Sequence, residues 1–123
     1  MAEQARAIGK RILLVDDDQG ARQSIKLLLT IDRHDVTEAA DGTEAIELLR
    51  NQSFDQTILD YFMPDLTGSQ VALHMREAAP SLPILMITAY LEKLGKRDIP
   101  VDAVLGKPFS IERLRQAVAK LLH

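Results

Sequence analysis

The chain has 123 residues, 46% of them hydrophobic, and a formal net charge of −3, which suits one hydrophobic core and excludes a disordered or fibrous polymer. With no cysteine it has neither a disulfide framework nor a thiolate zinc site. No run of 18 apolar residues, no apolar stretch within MAEQARAIGK and no basic stripe interleaved with aromatics points to a membrane span, a signal peptide or a nucleic-acid surface, so a soluble cytoplasmic domain is expected.

In chain order, a ten-residue tail (1–10) precedes the first predicted strand, 12–15 (ILLV). A helical pattern follows over 20–31, with Ala21, Ile25, Leu28 and Leu29 on one face. The second strand is 35–39 (DVTEA), and "DG" at 41–42 opens a helix over 43–51. The third strand is 56–60 (QTILD), and Asp65 to Gly68 leads into a helix over 67–79. "PSLP" at 80–83 separates that helix from the fourth strand, 84–88 (ILMIT). A short helix over 90–95 ends at Gly95, the fifth strand is 101–105 (VDAVL), and Ser110 caps a last helix over 111–122. ILLV and ILMI are unbroken apolar runs, as expected of strands covered on both faces. Repeated β–α units of this kind predict a doubly wound, five-stranded parallel α/β sheet with helices on both faces.

Ligands of such sheets bind beyond the carboxyl ends of the strands. Here those ends carry Asp16, Asp17 and Asp18, then Asp60, then Thr88, then Lys107 and Pro108. Carboxylates converging within about 4–6 Å raise one another's pKa unless a cation intervenes. Mg²⁺ takes oxygen ligands in octahedral geometry and often joins one or two carboxylates to phosphate oxygens. No histidine or cysteine neighbours these ends, so zinc fits poorly. A carboxylate can also attack phosphorus, and a lysine and a hydroxyl can neutralise and position a phosphoryl group.

At this point the sequence resembles the receiver domain of two-component response regulators. The matching stretches are LLVDDD at 13–18, ILDYFMPDLTG at 58–68, ILMITAY at 84–90 and LGKPF at 105–109, spanning about 11–122. The resemblance implies one receiver domain over 11–123 with a flavodoxin-like strand order 2-1-3-4-5. It implies that Asp60 is the phosphoacceptor, that Asp16, Asp17, Asp60 and the backbone carbonyl of Phe62 hold Mg²⁺ (or Mn²⁺ in its place), and that Thr88 and Lys107 contact the phosphoryl group. It also implies a cis Lys107–Pro108 bond, a small residue at Ala89 for phosphate access, and a protective role for the bulky Phe62 and Tyr90 at the positions that tune phosphoryl lifetime. The implied partners are a sensor histidine kinase or histidine phosphotransfer protein and a downstream effector, in a cytoplasmic bacterial two-component system. The domain would catalyse only its own phosphorylation and dephosphorylation.

Asp18 reads as a helix cap, Asp35, Asp55 and Asp65 as turn residues, and His34, His74 and His123 as surface residues. Met63 and Pro64 read as loop-shaping, and Gly68 as meeting a special backbone angle. Two features depart from the family. Val104 stands where an aromatic usually precedes the lysine by three residues, and the stretch from Thr88 to Lys107 is short, with EKLGKRDIP inside it. These weaken the expectation that the fourth helix, last strand and last helix transmit the signal. The last helical pattern runs into the final LLH, so no output domain is expected from these residues. The competing readings are a pseudo-receiver that binds partners without phosphorylation, a haloacid-dehalogenase-like phosphohydrolase and a dinucleotide-binding domain. Phe62 occupies the second-aspartate position of the phosphohydrolases, and VDDDQG stands where G-x-G-x-x-G would be required.

Overall fold

The computed structural model describes residues 9–63, 65–89 and 100–122. The expected helix over 90–95, Tyr90, Pro64 and His123 lie outside the described residues. The strands are β1 (Arg11–Val15), β2 (Asp35–Ala39), β3 (Gln56–Asp60), β4 (Ile84–Thr88) and β5 (Ala103–Gly106). The described helices are α1 (Gln19–Ile31), α2 (Gly42–Asn51), α3 (Gly68–Ala78) and α4 (Ile111–Lys120). All strand pairs are parallel, in the order β2-β1-β3-β4-β5. The expected doubly wound sheet is therefore the observed one.

Alternation along each central strand splits the core in two. Leu13, Val15, Leu59, Ile84 and Met86 pack with Ala45, Val71, Ala72 and Met75 of α2 and α3. Ile12, Leu14, Ile58, Leu85 and Ile87 pack with Ile25 and Leu29 of α1 and Leu114 and Val118 of α4. β3 and β4 are buried along their whole length, and the ILMI run of β4 accordingly shows no polar face. Gly42 lets the first turn of α2 press on Val71 of α3, where a β-carbon would collide.

The caps explain the helix starts. Asp18 accepts from Gly20 N, Asp41 from Glu44 N, and Ser110 from Arg113 N. Thr67 and Gln70 form a reciprocal capping box, so α3 begins at Gly68 and not at 67. At its other end, α1 stops at a left-handed Arg33 (φ 64°), a conformation that glycine adopts more cheaply.

Most bounds fall within one residue of expectation, and two elements depart from it by two residues. β5 starts at Ala103 because the Asp102 carboxylate takes the Ile84 N–H (2.7 Å) and Arg76 Nη2 (2.6 Å), tying the strand entry by side chain. α4 ends at Lys120 because the Val118 carbonyl accepts from Gln56 Nε2 (3.0 Å) and from Leu121 N (3.2 Å), which tightens the last turn. His34 is also not a surface residue. It is buried, and its Nδ1 accepts from Lys10 N at 3.2 Å.

Candidate functional site

Strand order reverses between β1 and β3, so the crevice beyond their carboxyl ends is the switch point of the sheet. Asp16 follows β1 directly and Asp60 closes β3, while Thr88 closes the neighbouring β4. Asp16, Asp60 and Thr88 are buried and Asp17 is exposed. One carboxylate oxygen from each of Asp16, Asp17 and Asp60 lies within 4.8 Å of the other two. Lys107 Nζ donates to Asp60 Oδ1 at 3.2 Å. Its backbone is tied to β4 by Lys107 N donating to Thr88 O at 2.8 Å, and the Lys107–Pro108 bond is cis.

Asp16 is held on three sides. Its N–H donates to Ala39 O (3.1 Å), its carbonyl accepts from Arg22 Nη1 (2.7 Å), and its Oδ1 accepts from Asp18 N (2.9 Å). Oδ1 is thus anchored to the N-cap residue of α1, which fixes the carboxylate at the end of β1. Arg22 also donates to Glu38 Oε1 (3.2 Å), and Lys26 to Glu38 Oε2 (3.1 Å). Lys26 above all, with Arg22, holds the Glu38 carboxyl below its usual range.

Burial pushes the Asp60 carboxyl above the usual carboxylate range, and Lys107 offsets only part of that. Burial also raises Asp16, with the Asp18 N–H pulling the other way and the Asp60 charge adding to the rise. The buried carboxylates are therefore frustrated as anions, which is the condition a cation relieves. The donor set suits magnesium: it is all oxygen, with no histidine or cysteine. An octahedral Mg²⁺ with ligands at about 2.1 Å sets adjacent ligand oxygens about 3 Å apart and opposite ones about 4 Å apart. Three carboxylate oxygens within 4.8 Å of one another are near enough to share one such cation.

Three contributors escaped the residue pattern. Arg22 reads as an ordinary first-turn arginine, and its grip on the Asp16 carbonyl depends on how α1 docks. Gly68 has no left-handed φ; glycine is needed because a β-carbon would stand 2.8 Å from Tyr61 Cα and 2.9 Å from Asp60 O. Asp65 is more than a turn residue, since its carboxylate caps α2 across the loop. Helix starts flanked by Gly or Thr-x-x-Gln were the available signal for Gly68; nothing local marks the other two.

Phe62 is exposed, and its ring meets the Tyr61 ring edge-on at 5.1 Å. Val104 packs against the Met86 side of the core. A cavity of about 590 Å³ opens at the opposite, amino-terminal end of the sheet, between Phe54, Pro83 and Leu122, so concavity alone points away from the carboxylates. Among the described residues, no helix is long and apolar enough to cross a membrane.

Fold and crevice together define a doubly wound α/β domain with an acidic, metal-competent site at its switch point. Comparison with known proteins narrows this. The chain belongs to the response regulator receiver domain family, whose model matches residues 12–119. It is 38% identical over 116 residues to the response regulator MprA of a Mycobacterium species (strain KMS), covering 92% of this chain and 50% of that protein. The chain thus spans about half the length of the curated relatives it matches. Among solved structures it resembles the response regulator TrrA of Thermotoga maritima, crystallised in complex with Mg(2+)-BeF (32% identity, TM-score 0.86, 92% of this chain and 99% of that one). It also resembles the receiver domain of a sensor histidine kinase from Pseudomonas aeruginosa with a magnesium ion in its active site cleft (28% identity, TM-score 0.84, 93% and 98% covered).

Proposed function

We propose that Asp60 is the phosphoacceptor of a single receiver domain spanning 11–123, and that the domain switches partner affinity when phosphorylated. The donor is the phosphohistidine of a sensor histidine kinase or of a histidine phosphotransfer protein, and the recipient of the signal is a downstream effector. The observation that carries this reading is the meeting of three carboxylates with Lys107 Nζ, 3.2 Å from Asp60 Oδ1, at the switch point. The magnesium-bound structural relatives support it.

An Asp60 carboxylate oxygen attacks phosphorus. The O–P bond forms as the P–N bond to the donor imidazole breaks, and the imidazole leaves with a proton from water. Asp16, Asp17, Asp60 and the Phe62 carbonyl would hold Mg²⁺, which when bound neutralises phosphoryl charge. Lys107 follows the charge from the Asp60 carboxylate to a phosphoryl oxygen. The Thr88 hydroxyl donates to another. The chain catalyses its own modification and its loss by hydrolysis, and turns over no external substrate. With Val104 in place of an aromatic, the phosphorylated state is read without that ring.

Intact-mass measurement after incubation with acetyl phosphate and Mg²⁺ tests the proposal. A gain of one phosphoryl group, absent in Asp60→Asn, is expected. No gain in a folded protein with Mg²⁺ present sinks it in favour of a pseudo-receiver.

A further inference from the structure

The loop between β3 and α3 carries the Phe62 carbonyl, and something must hold that loop against the sheet. At its far end, Gly68 N donates to Tyr61 O at 2.6 Å, closing the loop on the residue next to Asp60. At its middle, the Asp65 carboxylate takes four donors: Gly42 N (3.3 Å), Thr43 N (3.1 Å), the Thr43 hydroxyl (2.8 Å) and Leu66 N (2.8 Å). Gly42 and Thr43 are the first two residues of α2, so Asp65 fills the end of that helix where free N–H groups and the positive dipole end converge. The third first-turn donor, Glu44 N, goes to Asp41 at 2.8 Å. Two aspartates therefore share the cap of α2. One is local. The other comes from 23 residues away and carries the loop with it.

We propose that Asp65 is a positioning residue that ties the Phe62 loop to α2 and so sets the Phe62 carbonyl against Asp60 for metal binding. This rests on the proposed function, because it assumes that this carbonyl is a ligand. α2 packs on α3 through Gly42 and Val71, so the tie closes a ring of α2, loop and α3 around the loop's base. The bonds are charge-assisted, and these four donors hold the Asp65 carboxyl at about 2, well below its usual value, so the tie persists in mild acid.

Asp41→Ala and Asp65→Ala provide the test, since each removes one negative charge and one cap from the same helix, and only the second frees the loop. Calorimetric titration with MgCl₂ at neutral pH is expected to show about tenfold weaker binding in Asp65→Ala. Asp65→Asn, whose single amide oxygen can keep only the donors of one carboxylate oxygen, is expected to bind Mg²⁺ with an affinity between those of wild type and Asp65→Ala. Asp41→Ala is expected to unfold at lower temperature and bind Mg²⁺ within about twofold of wild type. In the metal-free state, the backbone amide resonances of Phe62 and Tyr61 are expected to move in Asp65→Ala and stay in place in Asp41→Ala. A folded Asp65→Ala with wild-type affinity and unmoved resonances overturns the inference alone, as does an equal loss in Asp41→Ala. A wild-type chain that takes up no Mg²⁺ overturns the proposed function and this inference with it. If Asp65→Ala does not fold, Asp65→Asn and Thr43→Val, each weakening part of the tie, are read by the same two measurements.

Discussion

Replacing Gly68 by alanine should destabilise the protein, although alanine is the better helix former. The added β-carbon would lie 2.8 Å from Tyr61 Cα, 2.9 Å from Asp60 O and 3.1 Å from Met86 Cε. Two of these neighbours are backbone and cannot swing away as a long side chain could. Ordinary contact starts near 3.4 Å, so the β3–α3 loop must retreat by about 0.5 Å. Overpacking of this kind costs about 1–3 kcal/mol. The helix-propensity gain is small because Gly68 is the first residue of α3. A net loss of about 2 kcal/mol lowers Tm by about 8 °C in a chain of this size. Gly20 is the matched control. It also lies in the first turn of a helix, but its β-carbon would meet only Asp18 Oδ1, at 3.6 Å. Gly20→Ala should therefore raise Tm, by about 0.5 kcal/mol of stability or about 2 °C. Thermal unfolding followed by circular dichroism reads both. If Gly68→Ala melts at or above the wild-type temperature, close backbone approach is not what demands glycine there. Because the displaced atoms include the backbone of Asp60, phosphorylation by acetyl phosphate should slow in the same variant.

Other consequences can be measured alongside. Asp60 is raised in the folded state by burial, so its contribution to stability is full below the unfolded value of about 3.9 and is lost as pH rises through the folded value. Metal-free Asp60→Asn should consequently be more stable than wild type at pH 7, with the gap closing toward pH 4; a variant less stable at pH 7 contradicts the burial account. His34 acts in the opposite sense, since burial lowers it and its stabilising effect fades as pH falls from 6.5 toward the folded value. The difference between wild type and Asp60→Asn cancels that part. Arg22→Ala removes a charged donor from the Asp16 carbonyl and leaves Glu38 with Lys26 alone. A loss of about 2 kcal/mol is expected by denaturant titration, with Arg22→Lys unable to restore both bonds; a loss under about 0.5 kcal/mol would mean the arginine only decorates the site.

The class of fold was legible because it depends on patterns within short windows. ILLV and ILMI, short apolar runs bounded by turn residues, read as strands covered on both faces, and Asp18, Asp41 and Ser110 marked helix starts through bonds to residues two or three positions away. Strand ends were legible for the same reason, and in a parallel sheet all carboxyl ends face one side. Asp16, Asp60, Thr88 and Lys107 were therefore bound to gather before any distance was known.

What tertiary structure decided is everything that depends on how the layers dock. His34 is polar by type, yet the turn after α1 buries it against Lys10. Gly68 looked like a residue with an unusual backbone angle, and its real constraint is the proximity of another chain segment. Asp65 and Arg22 bond to groups on other elements, and Lys107 reaches Asp60 across 47 residues. Such contacts have no local signature, because the same residue types at the same spacing on a differently packed helix would touch only water. The sequence alone determined the sheet and which side chains stand at its active end. Only the packing of α1, α2 and α3 determined which of those side chains and loops are braced.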